Sequence, residues 1–303
     1  MTTPATTSAA RTLRGLRSTL IGIIVNVALA VTKILTGVVG SSYALIADGI
    51  ESSLDIFGSI VVFGGLKIGA KPPDDNHPFG HGRAEPLAAM IVSLGLLGAA
   101  GVIVIQSVRE ILAPHHMPAP FTLYVLVGVV LVKEILFRSV FKVGTEIDSV
   151  SVKVDAWHHR SDALTSAAAF IGISIALLGG PGFESADDWA AVFASGVIAF
   201  NGFRLLKGAV GEIMDTAVSP DMDQKIRQIS LGVRDVRNIE KCRVRKSGLN
   251  YFVEVHVEVD GTMTVHRGHE IAHNVKDALL GSPLGIIDAV IHIEPVPMSQ
   301  GGR

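Results

Sequence analysis

The chain has 303 residues, of which 49% are hydrophobic and 18% are charged, and its formal net charge is −2. A soluble domain carries about 25% charged residues, and a near-neutral chain gives no reason to expect a nucleic-acid partner. The charged residues thin out between Thr19 and Leu206 and return after Pro220, which predicts a membrane part followed by a soluble part. The single cysteine, Cys242, excludes an intrachain disulfide and fits a reducing compartment.

Six apolar stretches long enough to cross a lipid bilayer precede residue 208. A spanning helix needs about 20 mostly apolar residues. The stretches are 18–39, 42–70, 86–112, 119–141, 149–178 and 187–206. Because their number is even, both termini are predicted to lie on the same side of the membrane.

The basic residues predict which side that is. They flank the two ends of the predicted membrane part, the loop between the second and third stretches, and the loop between the fourth and fifth stretches. These residues are Arg11, Arg14, Arg17, Lys67, Lys71, Arg83, Arg138, Lys142, Lys153, Arg204 and Lys207. The other loops, at 40–41, 113–119 and 179–188, contain no lysine or arginine. The positive-inside rule therefore predicts cytoplasmic termini, and the short loops and compact length favour a bacterial inner membrane.

The pattern after Pro220 is that of a small α+β domain. Ser219 and Pro220 are typical of a helix start and open a predicted helix at 221–231. Predicted strands at 238–246 and 250–260 are followed by a helix at 264–280 and a strand at 286–294, whose apolar face is expected to include Ile287 and Ala289. The order is α-β-β-α-β, with helices on one face of a sheet. The predicted divisions are 1–17, an N-terminal cytoplasmic segment; 18–208, the membrane domain; 209–219, a linker; 220–297, the cytoplasmic domain; and 298–303, a tail.

Ionisable residues inside two of the apolar stretches are candidate metal ligands, since each costs about 2.5–3.5 kcal/mol to place at the centre of a membrane. Glu51 and Asp55, in the second stretch, are four residues apart and share one helix face, as do His158 and Asp162 in the fifth. Four converging oxygen and nitrogen donors suit a tetrahedral divalent ion such as zinc. Asp48, on the same face as Glu51, is an accessory candidate.

The alternative arrangement for such charges is a network of ion pairs or a set of helix-end groups that reach water. We expect it for Asp155, His159 and Arg160, towards the cytoplasmic end of the fifth stretch. Lys133 and Glu134, in the fourth stretch, are expected to reach the membrane surface or to pair with neighbours.

The electrostatics of the candidate site predicts exchange of metal for protons. Three carboxylates do not all stay ionised in an empty, low-dielectric site, so some bind protons, and an arriving divalent cation expels them. If the site opens to one side at a time, this competition produces antiport. A rival hypothesis is an intramembrane metalloenzyme, but the chain has no H-E-x-x-H sequence, and we expect no enzymatic activity. Another is a non-transporting metal sensor or assembly partner, which need not retain costly buried charges.

Three motifs resemble the cation diffusion facilitator family, and the resemblance extends from the first stretch to Pro295. They are ADGIESSLDIFGS at 47–59, PPDDNHPFGHGRAE at 72–85 and HHRSDALTS at 158–166. The resemblance implies a homodimeric transporter that moves zinc, iron, manganese, cobalt or cadmium out of the cytoplasm, mostly against protons, with a ferredoxin-like cytoplasmic domain. It places the transport site at Glu51, Asp55, His158 and Asp162. Glu51 departs from the Asp, His or Asn that is usual at its position.

The resemblance implies two further metal sites. One is in the loop after the second stretch, at Asp74, His77 and His81, where the alternative is a polar turn held by Asp75 and Asn76. The other is in the cytoplasmic domain, and its implied ligands are His256, His269, His292 and Glu294. Arg234 stands where some members have a histidine and cannot bind metal, so we expect a rearranged site that recruits His266 or Glu254. The alternative for these histidines is an ordinary surface position.

Overall fold

The computed structural model describes residues 4–39, 43–112, 122–179 and 186–296, apart from some side chains within the helices. The chain divides into two compact units, Leu13–Val210 and Met1–Thr12 together with Gly211–Arg303. Each unit has its own core, and each is described by itself below.

The first unit is built from long helices at the positions of the six apolar stretches. They are α1 (Pro4–Val39), α2 (Tyr43–Gly69), α3 (Ala84–Leu112), α4 (Thr122–Glu146), α5 (Val150–Gly179) and α6 (Ala186–Ile213). Helix α5 packs against α4, α3 and α2, and α2 also packs against α3. Helix α1 begins inside the predicted N-terminal segment, and α6 ends inside the predicted linker.

This unit carries large apolar side chains on its outside and polar ones inside. Ile24, Phe57, Ile135 and Phe193 are each at least 60% exposed, whereas Ser59 is fully buried. By length and composition, two of the described helices qualify as membrane spans, Ala9–Thr32 and Ala84–Arg109. An inverted distribution of this kind is expected for a protein whose solvent is lipid.

The start of α5 is held by a buried carboxylate from α3. Glu85 accepts hydrogen bonds from the hydroxyls of Ser149 and Ser151, at 2.5 and 3.0 Å, and from the backbone N–H of Ser151 at 2.9 Å. A negative charge at a helix N-terminus is favourable because the first N–H groups lack partners inside the helix. Glu85 therefore fixes where α5 begins relative to α3.

The second unit contains the predicted α-β-β-α-β order. Its elements are α7 (Pro220–Leu231), β1 (Asn238–Ser247), β2 (Asn250–Val259), α8 (Val265–Leu280) and β3 (Ile286–Pro295). The sheet order is β1-β2-β3, antiparallel between β1 and β2 and parallel between β2 and β3. Ser219 and Thr264 cap the two helices by accepting hydrogen bonds from backbone N–H groups of the first turns.

One face of the sheet packs against both helices to form the core. Val253, Val255 and Val257 are buried against Ile226 of α7 and Ile271 of α8. The alternation predicted for β2 is confirmed.

The predicted inward position of Ile287 is wrong. Tyr251 of β2 pairs with Ile286 and Phe252 pairs with Asp288, so Ile287 is an extra residue in the register. Ile286 consequently enters the core, and Ile287 is 38% exposed.

Candidate metal sites

Helix α5 carries two of the predicted transport ligands, and one of them already has a cationic partner. His158 and Asp162 lie one turn apart on α5. The ammonium of Lys133, on α4, donates to Asp162 Oδ2 at 2.7 Å and to Asn26 Oδ1, on α1, at 3.0 Å. Lys133 is 1% exposed and Asp162 is 23% exposed. The expectation that Lys133 pairs is confirmed, and its partner is a predicted ligand.

Two observations give the direction of α2 relative to α5. The hydroxyl of Ser59 donates to Asp155 Oδ1 at 2.6 Å, with both groups buried. Leu66 of α2 and Val152 of α5 both lie close to Gly15 of α1, because a Cβ built there would be 3.3 and 3.7 Å from them. Moving from Ser59 to Leu66 goes forward along α2, while moving from Asp155 to Val152 goes backward along α5. The two helices therefore run in opposite directions.

The remaining predicted transport ligands, Asp48, Glu51 and Asp55, lie in the backbone of α2, but their side chains fall outside the described residues. Asp55 precedes Ser59 by four residues and Glu51 precedes it by eight. By helical periodicity these positions follow the same face as Ser59, which contacts α5.

Of the two arrangements expected for Asp155 and His159, reaching water is wrong, because both are fully buried, whereas pairing agrees with the 3.9 Å between His159 Nε2 and Asp155 Oδ2. Asp155 faces α2, and His159 faces α1, where a Cβ at Gly22 would lie 3.2 Å from His159 Nε2. Arg160 meets aromatic rings, with its guanidinium carbon 4.5 Å from the centre of the Phe137 ring. Sequence reasoning missed Ser59 and Asn26, whose only signal is a polar side chain within an apolar stretch.

The loop between α2 and α3 brings together its three predicted ligands. One ligand atom from each of Asp74, His77 and His81 lies within 4.8 Å of the others. Asp74 Oδ1 accepts the backbone N–H of His77 at 2.7 Å, and Asp74 Oδ2 lies 3.5 Å from His81 Nε2. Gly80, with φ of +76°, allows the turn that returns His81 to this group. The structure thus contains a turn in which the Asp74 side chain accepts the backbone N–H groups of Asn76 and His77, together with a ligand-like cluster.

The loop carboxylate is held ready in its charged form. The backbone hydrogen bond from His77 lowers the pKa of Asp74 below its ordinary value, and the His77 side chain adds to this effect. A carboxylate that stays ionised beside two imidazoles presents the oxygen and nitrogen donors that divalent transition metals bind.

The cytoplasmic domain brings together three of its four predicted ligands. His256 on β2 and His292 on β3 are register partners, and ligand atoms of these residues and Glu294 lie within 4.8 Å of one another. His256 Nδ1 lies 2.6 Å from Glu294 Oε1, and His256 Nε2 lies 3.2 Å from Glu254 Oε1. The fourth, His269, instead has its Nε2 3.1 Å from Nε2 of His273, its neighbour on α8.

Carboxylates control the protonation of this cluster. Hydrogen bonds to the carboxylates of Glu294 and then Glu254 raise the pKa of His256 above its ordinary 6.5. Hydrogen bonds from Glu240 and His256 lower the pKa of Glu294, while the Glu294 carboxylate raises that of Glu240. Sequence reasoning missed Glu240, which only the pairing of β1 with β2 brings near. Two further residues, His266 and Glu254, were expected as replacement metal ligands. Glu254 contacts the cluster, whereas His266 lies 3.4 Å from Glu270 on its own helix.

Comparison with known proteins covers both units. Residues 19–214 match the family model for the cation efflux transmembrane domain, and residues 218–296 match that for the cation efflux protein, cytoplasmic domain. The manganese efflux system protein MneP of Bacillus subtilis is 30% identical over 91% of this chain and 94% of its own. The cation-efflux pump FieF of Pectobacterium carotovorum is 29% identical over 86% of this chain and 87% of its own. A solved MamM CTD variant has a TM-score of 0.25 and 24% identity, over 26% of this chain and 94% of that one. This chain belongs to the cation diffusion facilitator family of integral membrane transporters, which export divalent metal cations and are not enzymes.

Proposed function

We propose that this chain exports a divalent metal from the cytoplasm in exchange for protons, at a site formed by Glu51 and Asp55 of α2 with His158 and Asp162 of α5. Asp48 is an accessory ligand in this proposal. The six long helices span the membrane, with both termini in the cytoplasm of a bacterial cell. Alternating access then exposes one site to one side of the inner membrane at a time.

The observation that carries the proposal is the Ser59–Asp155 hydrogen bond. It joins the faces of α2 and α5 that bear the ligand positions. Because the two helices run in opposite directions, one step backward along α2 from Ser59 corresponds to one step forward along α5 from Asp155. Asp55 is then level with His158, and Glu51 is level with Asp162. This is the arrangement that four converging ligands require.

The ligand set supports two metals. Zinc is our first proposal, since one imidazole and three carboxylates complete a tetrahedral site. Manganese is the second, because carboxylate-rich sites suit this harder ion and because the relative in Bacillus subtilis is named a manganese efflux protein. Iron, cobalt and cadmium also bind nitrogen and oxygen ligands, so they are included in the test.

The loop cluster and the cytoplasmic cluster are proposed as regulatory metal sites. The loop ligands are Asp74, His77 and His81, and the cytoplasmic ligands are His256, His292 and Glu294, with His269 contributing if its ring leaves His273. Metal on the cytoplasmic domain would favour closer packing of two copies into a homodimer. The match of residues 218–296 to the family's cytoplasmic domain supports this part of the proposal.

A second candidate function is a membrane metal sensor or assembly partner that keeps the fold without transporting. The buried charges of α4 and α5 argue against it, because Lys133, Asp155 and His159 are expensive to retain in a membrane unless they serve transport.

Flux into proteoliposomes tests the proposal. Wild type and Asp55→Ala are compared with zinc, manganese, iron, cobalt and cadmium, with and without a pH gradient, while an internal dye reports protons. We expect metal uptake coupled to proton movement in wild type and its loss in Asp55→Ala. Equal flux in the two proteins would refute the site, and uptake without proton movement would refute antiport alone.

A further inference from the structure

Helix α4 brings a buried cation to the transport site. Lys133 is 1% exposed, and its ammonium lies between Asp162 Oδ2 at 2.7 Å and Asn26 Oδ1 at 3.0 Å. Three helices meet at this nitrogen, since Asn26 belongs to α1 and Asp162 to α5. A buried ammonium must be paired, because its charge is costly away from water. Here the pairing uses a carboxylate that is itself proposed to bind the transported metal.

We infer that Lys133 is a resident cation of the transport site, which occupies Asp162 when metal is absent and moves onto Asn26 when a divalent ion binds. This inference rests on the proposed function. Lys133 is a positioning residue in this account, because it acts on the metal through Asp162 and Asn26.

The distances support competition for Asp162. A divalent ion binds a carboxylate oxygen at about 2.0–2.2 Å, and the ammonium already lies 2.7 Å from Oδ2. Two cations on one carboxylate in a low-dielectric interior repel each other strongly. The ammonium therefore has to withdraw as the metal arrives.

Asn26 provides the place to withdraw to. Its side chain is fully buried, and its amide oxygen already accepts a hydrogen bond from Lys133. A neutral amide can hold the ammonium without the strong attraction of a carboxylate, so the lysine remains available to return to Asp162 when the metal leaves. Release to the far side is then assisted, because the returning ammonium replaces the metal on the ligand.

The charges of the site agree with this role. Glu51, Asp55 and Asp162 carry three negative charges when ionised, and Lys133 carries one positive charge. Within this set of ligands and Lys133, the remaining two negative charges match one divalent ion, and Asp155, which accepts a hydrogen bond from Ser59, is not part of the set. Removing the lysine leaves an excess negative charge that holds a divalent ion more tightly and releases it more slowly.

Transport kinetics in proteoliposomes test the inference. Lys133→Met removes the charge from a side chain of similar length, Lys133→Arg keeps it, and Lys142→Met removes an exposed lysine of the same helix. For zinc and manganese we expect KM to fall by about tenfold or more in Lys133→Met, with a lower kcat, as removal of a close charge predicts. Lys133→Arg and Lys142→Met should keep KM close to that of wild type.

The outcomes separate this inference from the proposed function. A wild type that carries no divalent cation overturns both. A wild type that transports, together with an unchanged or raised KM in Lys133→Met, overturns the inference alone, as does an equal change in Lys133→Arg. If Lys133→Met does not fold, Lys133→Gln replaces it in the same comparison, because the glutamine amide keeps hydrogen-bond donors without the charge.

Discussion

At the scale of single residues, charged side chains within the apolar helices are held by specific partners from other helices. Lys133 contacts Asn26 and Asp162, and Asp155 contacts Ser59. Buried polar groups without partners are costly, and in lipid no water is at hand to replace a lost one. These contacts therefore set the relative positions of α1, α2, α4 and α5 as well as their local chemistry.

Replacing Ser59 by alanine should destabilise the helical unit more than a matched change elsewhere. The substitution leaves the buried Asp155 oxygen without its 2.6 Å donor, an effect that costs about 1–3 kcal/mol. Ser93→Ala is the control, because the hydroxyl of this buried serine donates within its own helix, to Ala89 O. Thermal unfolding in detergent, followed by circular dichroism, should give the lower midpoint for Ser59→Ala. Equal midpoints would show that the contact between Ser59 and Asp155 contributes nothing to the stability of the helical unit.

In the cytoplasmic unit, His256 should make stability depend on pH. Because Glu294 and Glu254 raise its folded pKa above 6.5, its contribution is fully present below that value and is lost as pH rises through the raised pKa. The midpoint difference between wild type and His256→Asn, measured without metal, should therefore shrink as pH rises above 6.5. A difference that grows as pH rises above 6.5 would contradict the assignment of His256 as the protonated partner.

Cys242 provides a way to measure the unfolding midpoint of the cytoplasmic unit. It is the only cysteine of the chain, it packs beside the cytoplasmic core, and burial raises the pKa of its thiol to about 12. Partial burial and the raised pKa therefore slow the reaction of this thiol with a thiol-reactive dye while the domain is folded. Dye fluorescence on heating the full-length protein reports unfolding of the cytoplasmic unit alone.

At the scale of elements, the register of β3 shows how neighbouring strands decide which residues enter the core. Two apolar residues, Ile286 and Ile287, stand side by side at the strand start, and alternation alone selected the wrong one. The irregularity opposite Tyr251 and Phe252 places Ile286 inward. Pairing between strands that are distant in sequence overrides a local pattern here.

Alanine substitutions should distinguish the two isoleucines. Ile286→Ala empties a fully buried site and should cost about 2–5 kcal/mol, whereas Ile287→Ala removes a partly exposed side chain and should cost far less. Dye reaction at Cys242 on heating compares both with wild type. The register would be wrong if Ile287→Ala lowered the midpoint more than Ile286→Ala.

Helices and strands were predictable from sequence because their signals are local. Apolar runs located α1 to α6, and alternation with capping residues located α7 to β3. The partners of Ser59, Lys133 and Glu85 were not predictable, since each depends on how two or three helices pack. The cluster around His256 lies between these cases, because its histidines follow from strand patterns and Glu240 does not.

At the scale of the whole molecule, the proposed transport site depends on the arrangement of α2 and α5. Both helices carry acidic positions in apolar surroundings, and the contacts of Ser59, Leu66 and Val152 set their opposite directions. Exposed apolar side chains around this unit fit a lipid environment. In the proposed transport site, the acidic face of α2 meets that of α5.

Cysteine cross-linking within the membrane tests this meeting most directly. In a Cys242→Ser background, Asp55→Cys is paired with His158→Cys, and Leu54→Cys with His158→Cys serves as the control from the neighbouring helix position. A protease site inserted between α3 and α4 separates the halves unless the thiols are joined by oxidation or by mercury. We expect the pair at 55 and 158 to cross-link and the pair at 54 and 158 not to. If only the control pair cross-linked, the acidic face of α2 would point away from α5. This result would contradict the proposed transport site.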